Sequence, residues 1–395
     1  MKNPSLNTVS AFVLVAVFVV SLCNFLNQMC LADKKAFWLD ENYGLHSTIQ
    51  GNTYLGLIGK KAAYTEANAA PLDYICIKIF VDMKHVVRNF GLSDRVYYRL
   101  WPNFVMVCCG LLVVVLFLRN IFNSPSTPAI QIFQLGMLVF LPLLYLYRPN
   151  TYYYAAETRP YALWFALWFI CITICSVANT HKLILSIVLS LMAVTMVGSV
   201  FQIIALGIAF FAIQSHQNGY KLALKESSQV FILPLLLVVF YAFPANYGHL
   251  ANESSALAWH RFFIWWEREA IFVPVILVLM AVLYQNKSKR QMMIGPLAVL
   301  IVFLMGPLIW KVTLWRGYFF TERQYIYYDL HRAVIWLCLI NALPFYLERI
   351  KNPKRQILVM CLIFTLSIPF VFSKKTIADL RFTIHHVAVL LHVSH

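Results

Sequence analysis

The chain has 395 residues, 61% hydrophobic and 12% charged, with a formal net charge of +16; an ordinary soluble domain carries about twice that charged share. The Lys and Arg are dispersed between apolar blocks and form no single basic face with interleaved aromatics, so no nucleic acid partner is expected. The blocks run to about 15 to 20 residues, enough to cross a hydrocarbon core of about 30 Å. The composition therefore predicts an all-α polytopic membrane protein and excludes a soluble domain on a single anchor.

The first segment, Met1 to Leu31, has Lys2 followed by an apolar run. That run is longer than the core of a signal peptide, and no small-residue cleavage site precedes Lys34, so it reads as the first span. Further along, the apolar blocks predict spans over 11–30, 97–118, 130–147, 161–179, 183–198, 199–214, 230–246, 271–284, 292–310, 332–347 and 357–373, about eleven in all. The run from Leu183 to Ile213 is too long for one ordinary helix and is divided near Gly198 and Gln202, where small and polar residues interrupt it. With the N-terminus inside, the short cytoplasmic loops carry Arg119, Lys182, Lys221 with Lys225, then Lys287, Lys289 and Arg290, then Arg349, Lys351, Lys354 and Arg355. This is the positive-inside pattern, and it supports the division on both sides.

The transmembrane domain then covers 1–373, with outer loops at 31–96, 148–160 and 311–331 and a short tail, 374–395, expected to contribute no catalytic group. Of the sixteen acidic residues only Glu226 and Glu348 lie inside on this arrangement, which points to one extracytoplasmic working face. The first loop contains an amphipathic stretch, Asp73 to Phe90, of the kind that lies in a membrane interface. Eight of the nine cysteines fall in apolar spans and only Cys76 in a loop, so no disulfide framework is implied.

Three groups of residues could carry chemistry. Trp38, Leu39, Asp40 and Glu41 follow the first span; a carboxylate here suits a general base, or equally a solvated acidic pair at a helix start. Tyr154, Ala155, Ala156, Glu157, Thr158, Arg159, Pro160 and Tyr161 form a tight outer loop, in which Glu157 and Arg159 either pair with each other or serve a ligand. Arg316, Arg323, Gln324, Tyr325 and Tyr328 occupy a late outer loop; guanidinium is suited to phosphate, while interface snorkelling accounts for Arg316. Within the spans Arg99 is the exceptional ionisable group, so the midplane carboxylates and histidines typical of secondary transporters are missing. His46, His85, His249, His260 and His331 are scattered without the spacing of a metal site, and a divalent metal has no support.

In their order along the chain these pieces resemble the GT-C superfamily of membrane glycosyltransferases, in the branch of protein O-mannosyltransferases and lipid A aminoarabinose transferases. Phe37 to Glu41 is similar to the family's acidic motif; Pro71, Leu72 and Tyr74 resemble its Pro-Pro-Leu-Tyr segment, with Ala70 in place of one proline. Arg99, Leu100, Trp101 and Pro102 are similar to its Arg-Leu-Pro entry to the second span, and Tyr154 to Tyr161 to its Tyr-x-x-Glu-x-Arg-Pro-Tyr signature. Arg323 to Tyr325 resembles a late Arg-Tyr motif with Gln324 inserted. The resemblance covers about the first 215 residues and is thin beyond them.

What the resemblance implies is a GT-C-like helical bundle and inverting transfer of a sugar from a polyprenyl-phosphate donor to a hydroxyl of a glycan, lipid or protein, at the periplasmic side of the inner membrane. It implies Asp40 as base with Glu41 beside it, Arg159 and Arg323 near the lipid phosphate with Tyr161 and Tyr325, and Glu157 and Arg99 in support. Lys60 and Lys61 are further phosphate contacts on charge grounds. The competing readings are a polysaccharide polymerase or ligase using a polyprenyl-diphosphate donor, and a lipid or sugar transporter.

Overall fold

A computed structural model describes residues 4–37, 39–60, 70–87, 91–154, 156–177, 181–242, 262–264, 266–267, 269–315, 330–372 and 374–393. Among the described residues all regular structure is helical. The first helix, α1 (Pro4–Lys34), has 31 residues and a length of about 46 Å at 1.5 Å per residue. It outlasts the hydrocarbon core, so its last turn continues into the loop that follows, the first expected outer loop.

That loop carries α2 (Leu39–Tyr43), a π-helical turn (Gly44–Gln50), α3 (Tyr54–Ile58) and α4 (Leu72–Val87). The last of these coincides with the amphipathic stretch. α5 (Asp94–Phe122) starts at Ser93, whose hydroxyl accepts from the Val96 amide and donates to Asp33 at 2.6 Å. The capping residue thereby also joins α5 to the end of α1.

The expected span over 130–147 is two helices, α6 (Pro128–Leu138) and α7 (Leu141–Tyr145), separated at Val139 and Phe140 because Pro142 in the first turn of α7 lacks an amide hydrogen. After α8 (Pro149–Tyr154) comes α9 (Tyr161–Ser176), apolar on every face and almost wholly buried, as an all-round hydrophobic helix must be. The long apolar run does break: α10 (Lys182–Ala193) ends before Val194, a 3-10 turn occupies Val197–Ser199, and α11 (Val200–Asn218) follows. The Val194 carbonyl faces away from both helices and accepts the Leu72 amide of α4 at 2.8 Å. The interruption is thus a docking point for the first outer loop.

The second half comprises α12 (Tyr220–Ala242), α13 (Phe272–Gln285), α14 (Ile294–Leu304), α15 (Gly306–Trp315), α16 (His331–Leu347), α17 (Pro353–Val371) and α18 (Lys374–Val393). The tail expected after the last span is therefore helical, and it packs along α1. α1 also packs on α5, α9 lies between α5, α10 and α14, and α12 covers both α10 and α11.

Five helices are long and apolar enough to cross a bilayer: Leu6–Lys34, Asp94–Phe122, Val197–Asn218, Tyr220–Tyr241 and Pro353–Val371; several shorter apolar helices accompany them. Their outward faces are apolar, with Phe12, Leu183, Leu236, Leu358 and Leu366 all more than half exposed. Helices with satisfied backbones and apolar exteriors are what a lipid solvent demands, and the chain is a multi-pass membrane protein.

Two clusters of buried polar residues lie at opposite ends of α5. At one end of α5 sits Arg99; at the other Asn120 donates to the Asn341 side chain at 3.1 Å. The two positions on α5 are about 30 Å apart, the thickness of a hydrocarbon core. Around Asn341 the remaining bonds are from its own amide to the Ser176 carbonyl at 2.6 Å and from Lys289 to the Asn341 carbonyl at 2.8 Å. This amide pole collects the ends of α5 and α9, and α16 one to two turns before its own end. The charged pole, around Arg99, collects the end of α1, the start of α5 and the start of α9.

Candidate functional site

The charged pole is built from five pieces of chain: the end of α1 with Lys35, α2, the start of α4, the start of α5, and the turn Ala156–Pro160. Its centre is a buried ion pair. Arg99 Nε donates to Glu41 Oε1 at 3.1 Å and Nη2 to Oε2 at 2.7 Å, the parallel two-bond geometry in which guanidinium binds carboxylate most strongly. Both side chains are buried. Arg99 also donates to the carbonyls of Ala32, Lys35 and Ala36 at 3.0, 2.8 and 3.2 Å, and lies over the Phe37 ring. The cation therefore caps the orphan carbonyls and negative dipole end of α1.

Glu41 accepts a further bond from the Thr158 amide, at 2.9 Å. One carboxylate thus ties the first outer loop to the turn before α9, whose amide it fixes. With both oxygens accepting charge-assisted or backbone bonds in a buried place, Glu41 is a strut between loops. Asp40 precedes it on α2; the Asp40 side chain lies outside the described residues.

Glu157 has a partner from outside its own loop. Glu157, buried, receives Lys35 Nζ at 3.3 Å. Burial pushes the Lys35 ammonium below its usual range, while Glu157 and Glu41 hold it up. The charge of Arg159 is near enough to Asp73 of α4 to oppose, weakly, the effect of burial on that carboxyl. The turn is tight: the Arg159 amide bonds back to the Glu157 carbonyl at 2.8 Å and the Glu157 amide to the Tyr154 carbonyl at 3.2 Å.

Asp73 is 1% exposed. Its Oδ1 accepts from Trp101 Nε1 at 3.0 Å, and Oδ2 has no hydrogen-bond partner. Burial raises the carboxyl to about 6, against the opposing effects of the Trp101 bond and Arg159. Beneath the turn lies a polar cavity of about 10 Å³, measured for a water's centre, lined by Asn24, Gln28, Asn103, Thr151, Tyr152 and Ala156; that is room for about one water. Asn103 donates to the Arg99 carbonyl at 2.8 Å, so the cavity adjoins the ion pair.

The other candidates lie apart from this layer or beyond the described residues. Tyr161 is buried in the hydrophobic core at the start of α9. Lys60 sits near the end of α12, its ammonium 3.8 Å from the centre of the Phe240 ring, in a left-handed backbone conformation (φ 66°). Lys61, Arg323 and Tyr325 fall outside the described residues, as do Trp38, Arg316, Gln324 and Tyr328. Among the described residues no three His, Cys, Asp or Glu side chains converge in a way that could hold a metal ion.

Lys35, Asp73, Trp101 and Thr158 are functional candidates supplied by the structure. Lys35 had a signal in sequence, a cation directly after the first apolar run. Thr158 acts through its backbone and had none. Compared with known proteins, the chain matches no family model, no curated protein and no solved structure.

Proposed function

We propose that the protein is a membrane glycosyltransferase that moves a sugar from a polyprenyl-phosphate donor to an acceptor hydroxyl, with inversion, at the charged end of the bundle. The observation that carries this reading is the convergence, at one end of α5, of the acidic segment Asp40 and Glu41, the turn Glu157 to Pro160 and the Arg99 entry of that helix. These are the segments on which the resemblance to GT-C enzymes rests, and they are far apart in sequence. A bundle of about eleven spans, with this end on the periplasmic side of the inner membrane, accords with the positive-inside pattern.

Asp40 takes the proton of the acceptor hydroxyl as the hydroxyl oxygen bonds to the sugar C1. The C1–O bond to the phosphate breaks on the opposite face and its electron pair leaves with the phosphate, so one displacement inverts the anomeric carbon; inverting hydrolysis is the analogue with water as acceptor. Fixed cations stabilise the departing phosphate in a partly dehydrated site. Arg159 serves here, with Arg323, Lys61 and Tyr325 from the other outer segments. Arg99 is engaged by Glu41 and three carbonyls, and its part is to hold the loops together. No metal or other cofactor is required by this scheme. The acceptor is a glycan, lipid or protein hydroxyl.

The test is transfer in nanodiscs from a panel of polyprenyl-monophosphate sugars, with wild type and Asp40→Asn compared at equal folded amount. One donor is expected to be consumed, and the variant to lose roughly a hundredfold or more in turnover while still binding donor. Consumption of no donor, or wild-type turnover by Asp40→Asn, overturns the reading.

A further inference from the structure

Arg99 commits its whole guanidinium: Nε and Nη2, which share one edge, bind the two oxygens of Glu41, and Nη1 caps carbonyls at the end of α1. A second arginine at the same end of the bundle, Arg148, is bound differently. It lies just before α8, and its carbonyl accepts the Tyr152 amide at 2.7 Å. Tyr152 in turn accepts from Asn27 and Gln28, near the end of α1, at 2.6 and 3.0 Å. The Arg148 side chain pairs with Glu269, and the two are only 11% and 5% exposed. A single nitrogen, Nη2, reaches both carboxylate oxygens, at 3.3 and 3.5 Å, while Nε, buried, has no hydrogen-bond partner.

Charge-assisted bonds between guanidinium and carboxylate ordinarily close to about 2.7 to 2.9 Å. The Arg148 contact is longer, and it uses half of the edge that Arg99 gives to Glu41. A buried ion pair recovers the cost of desolvation only where its geometry is good and its remaining donors are satisfied; Arg148 meets neither condition. Backbone slack does not account for this. Glu269 is carried by a segment pinned to α14: Trp266 stacks on Phe303 with ring centres 5.2 Å apart and donates to the Phe303 carbonyl at 2.9 Å, and the Ala270 amide bonds back to the Trp266 carbonyl at 3.0 Å. An unsatisfied buried donor calls for an explanation. The edge formed by Nε and Nη2 is the one that takes two oxygens of a carboxylate or a phosphate in parallel bonds.

We propose that Arg148 binds a phosphate oxyanion through the edge formed by Nε and Nη2, with Glu269 as the internal competitor for that edge. The proposal rests on the glycosyltransferase reading, in which the phosphate is that of the polyprenyl donor, and it adds a cation from the segment before α8 to those already assigned. The Coulomb sign sets what each partner does. The Glu269 charge opposes an approaching anion, so neutralising Glu269 strengthens binding, whereas removing the Arg148 cation weakens it. A pair that served cohesion alone would show no such opposition, because cutting it from either side loosens the same contact. The headgroup of an anionic phospholipid offers the same oxyanion, and competition separates the two sources.

The experiment measures binding of the methyl diester of decaprenyl phosphate, which carries one negative charge, to the full-length protein in phosphatidylcholine nanodiscs at equal folded amount. Glu269→Gln should bind roughly fivefold tighter than wild type or better, a typical coupling between two groups. Arg148→Gln should bind roughly tenfold weaker or worse, the loss of a hydrogen bond to a charged group. The double variant Arg148→Gln with Glu269→Gln strands no buried charge and should also bind weakly, which separates loss of the contact from loss of the fold. Adding phosphatidylglycerol to the discs should affect wild type and Arg148→Gln alike if the donor is the ligand; a loss confined to wild type supports the oxyanion site and assigns it to the lipid headgroup. Wild-type affinity in either variant lacking Arg148, or binding by Glu269→Gln no tighter than wild type, overturns the proposal and leaves the glycosyltransferase reading standing. Failure of wild type to bind the diester overturns both.

Discussion

The two poles of the bundle handle buried polarity in opposite ways. The amide pole uses Asn120, Asn341 and Lys289 to tie the ends of α5 and α9 to α16 through neutral groups and carbonyls, with Lys289 the sole cation in the network. The charged pole instead buries Glu41, Asp73, Glu157 and Arg99. Amide networks deliver cross-links for a modest desolvation cost. Buried ions stabilise only weakly when paired and destabilise strongly when one partner is removed. A protein that needed only cohesion could build both ends of amides, and the charged end is where a function that handles charge belongs.

Substitutions at three positions sharpen that contrast. The largest effect is expected from Arg99→Met, which leaves Glu41 as a buried unpaired charge and uncaps α1; it should lose about 3 to 5 kcal/mol, read by thermal unfolding in detergent. Arg99→Lys should recover little of this, because an ammonium cannot make the parallel two-bond contact or reach three carbonyls at once. Wild-type stability in Arg99→Met would mean that the ion pair is not what joins the loops. An intermediate loss, about 1 to 3 kcal/mol, is expected for Asn341→Leu, which strands Asn120 and the Ser176 carbonyl. At equal folded amount this variant should transfer sugar like wild type, and impaired transfer would break the assignment of the amide pole to cohesion alone. A comparable loss, about 1 to 3 kcal/mol, is expected for Lys35→Met, which takes an ammonium from the buried Glu157 carboxylate while the half-exposed lysine side of the pair lets water in and keeps the cost below that of Arg99→Met.

Much of the helical layout was legible in sequence because lipid imposes a long, simple pattern on each span. The division of the run from Leu183 to Ile213 followed from Gly198 and Gln202, and the chain does break there, at Val194 to Met196. Less legible were the breaks within 130–147 and 292–310, where Pro142 and the Gly306–Pro307 pair interrupt apolar stretches that hydropathy reads as continuous. The gathering of the acidic segment, the Arg99 entry and the Glu157 turn was legible only through their order along the chain. The pairing of charges was not. Glu157 is two residues from Arg159 in sequence, yet it bonds to Lys35 at the end of α1, 122 residues distant. Asp73 itself read as one more polar residue on an amphipathic helix, and only the docking of α4 beneath Trp101 buries it.

The cap on α1 has a consequence for how the protein is made. The carbonyls of Ala32, Lys35 and Ala36 find their donor in a residue more than sixty positions later, and Glu41 also accepts from Thr158, later still. As the chain leaves the ribosome, the first helix enters the bilayer with its end open. It is sealed when α5 arrives, and the seal is locked when the turn before α9 emerges. The charged layer is therefore assembled in the order of translation, each newly inserted helix closing what the previous one left unfinished.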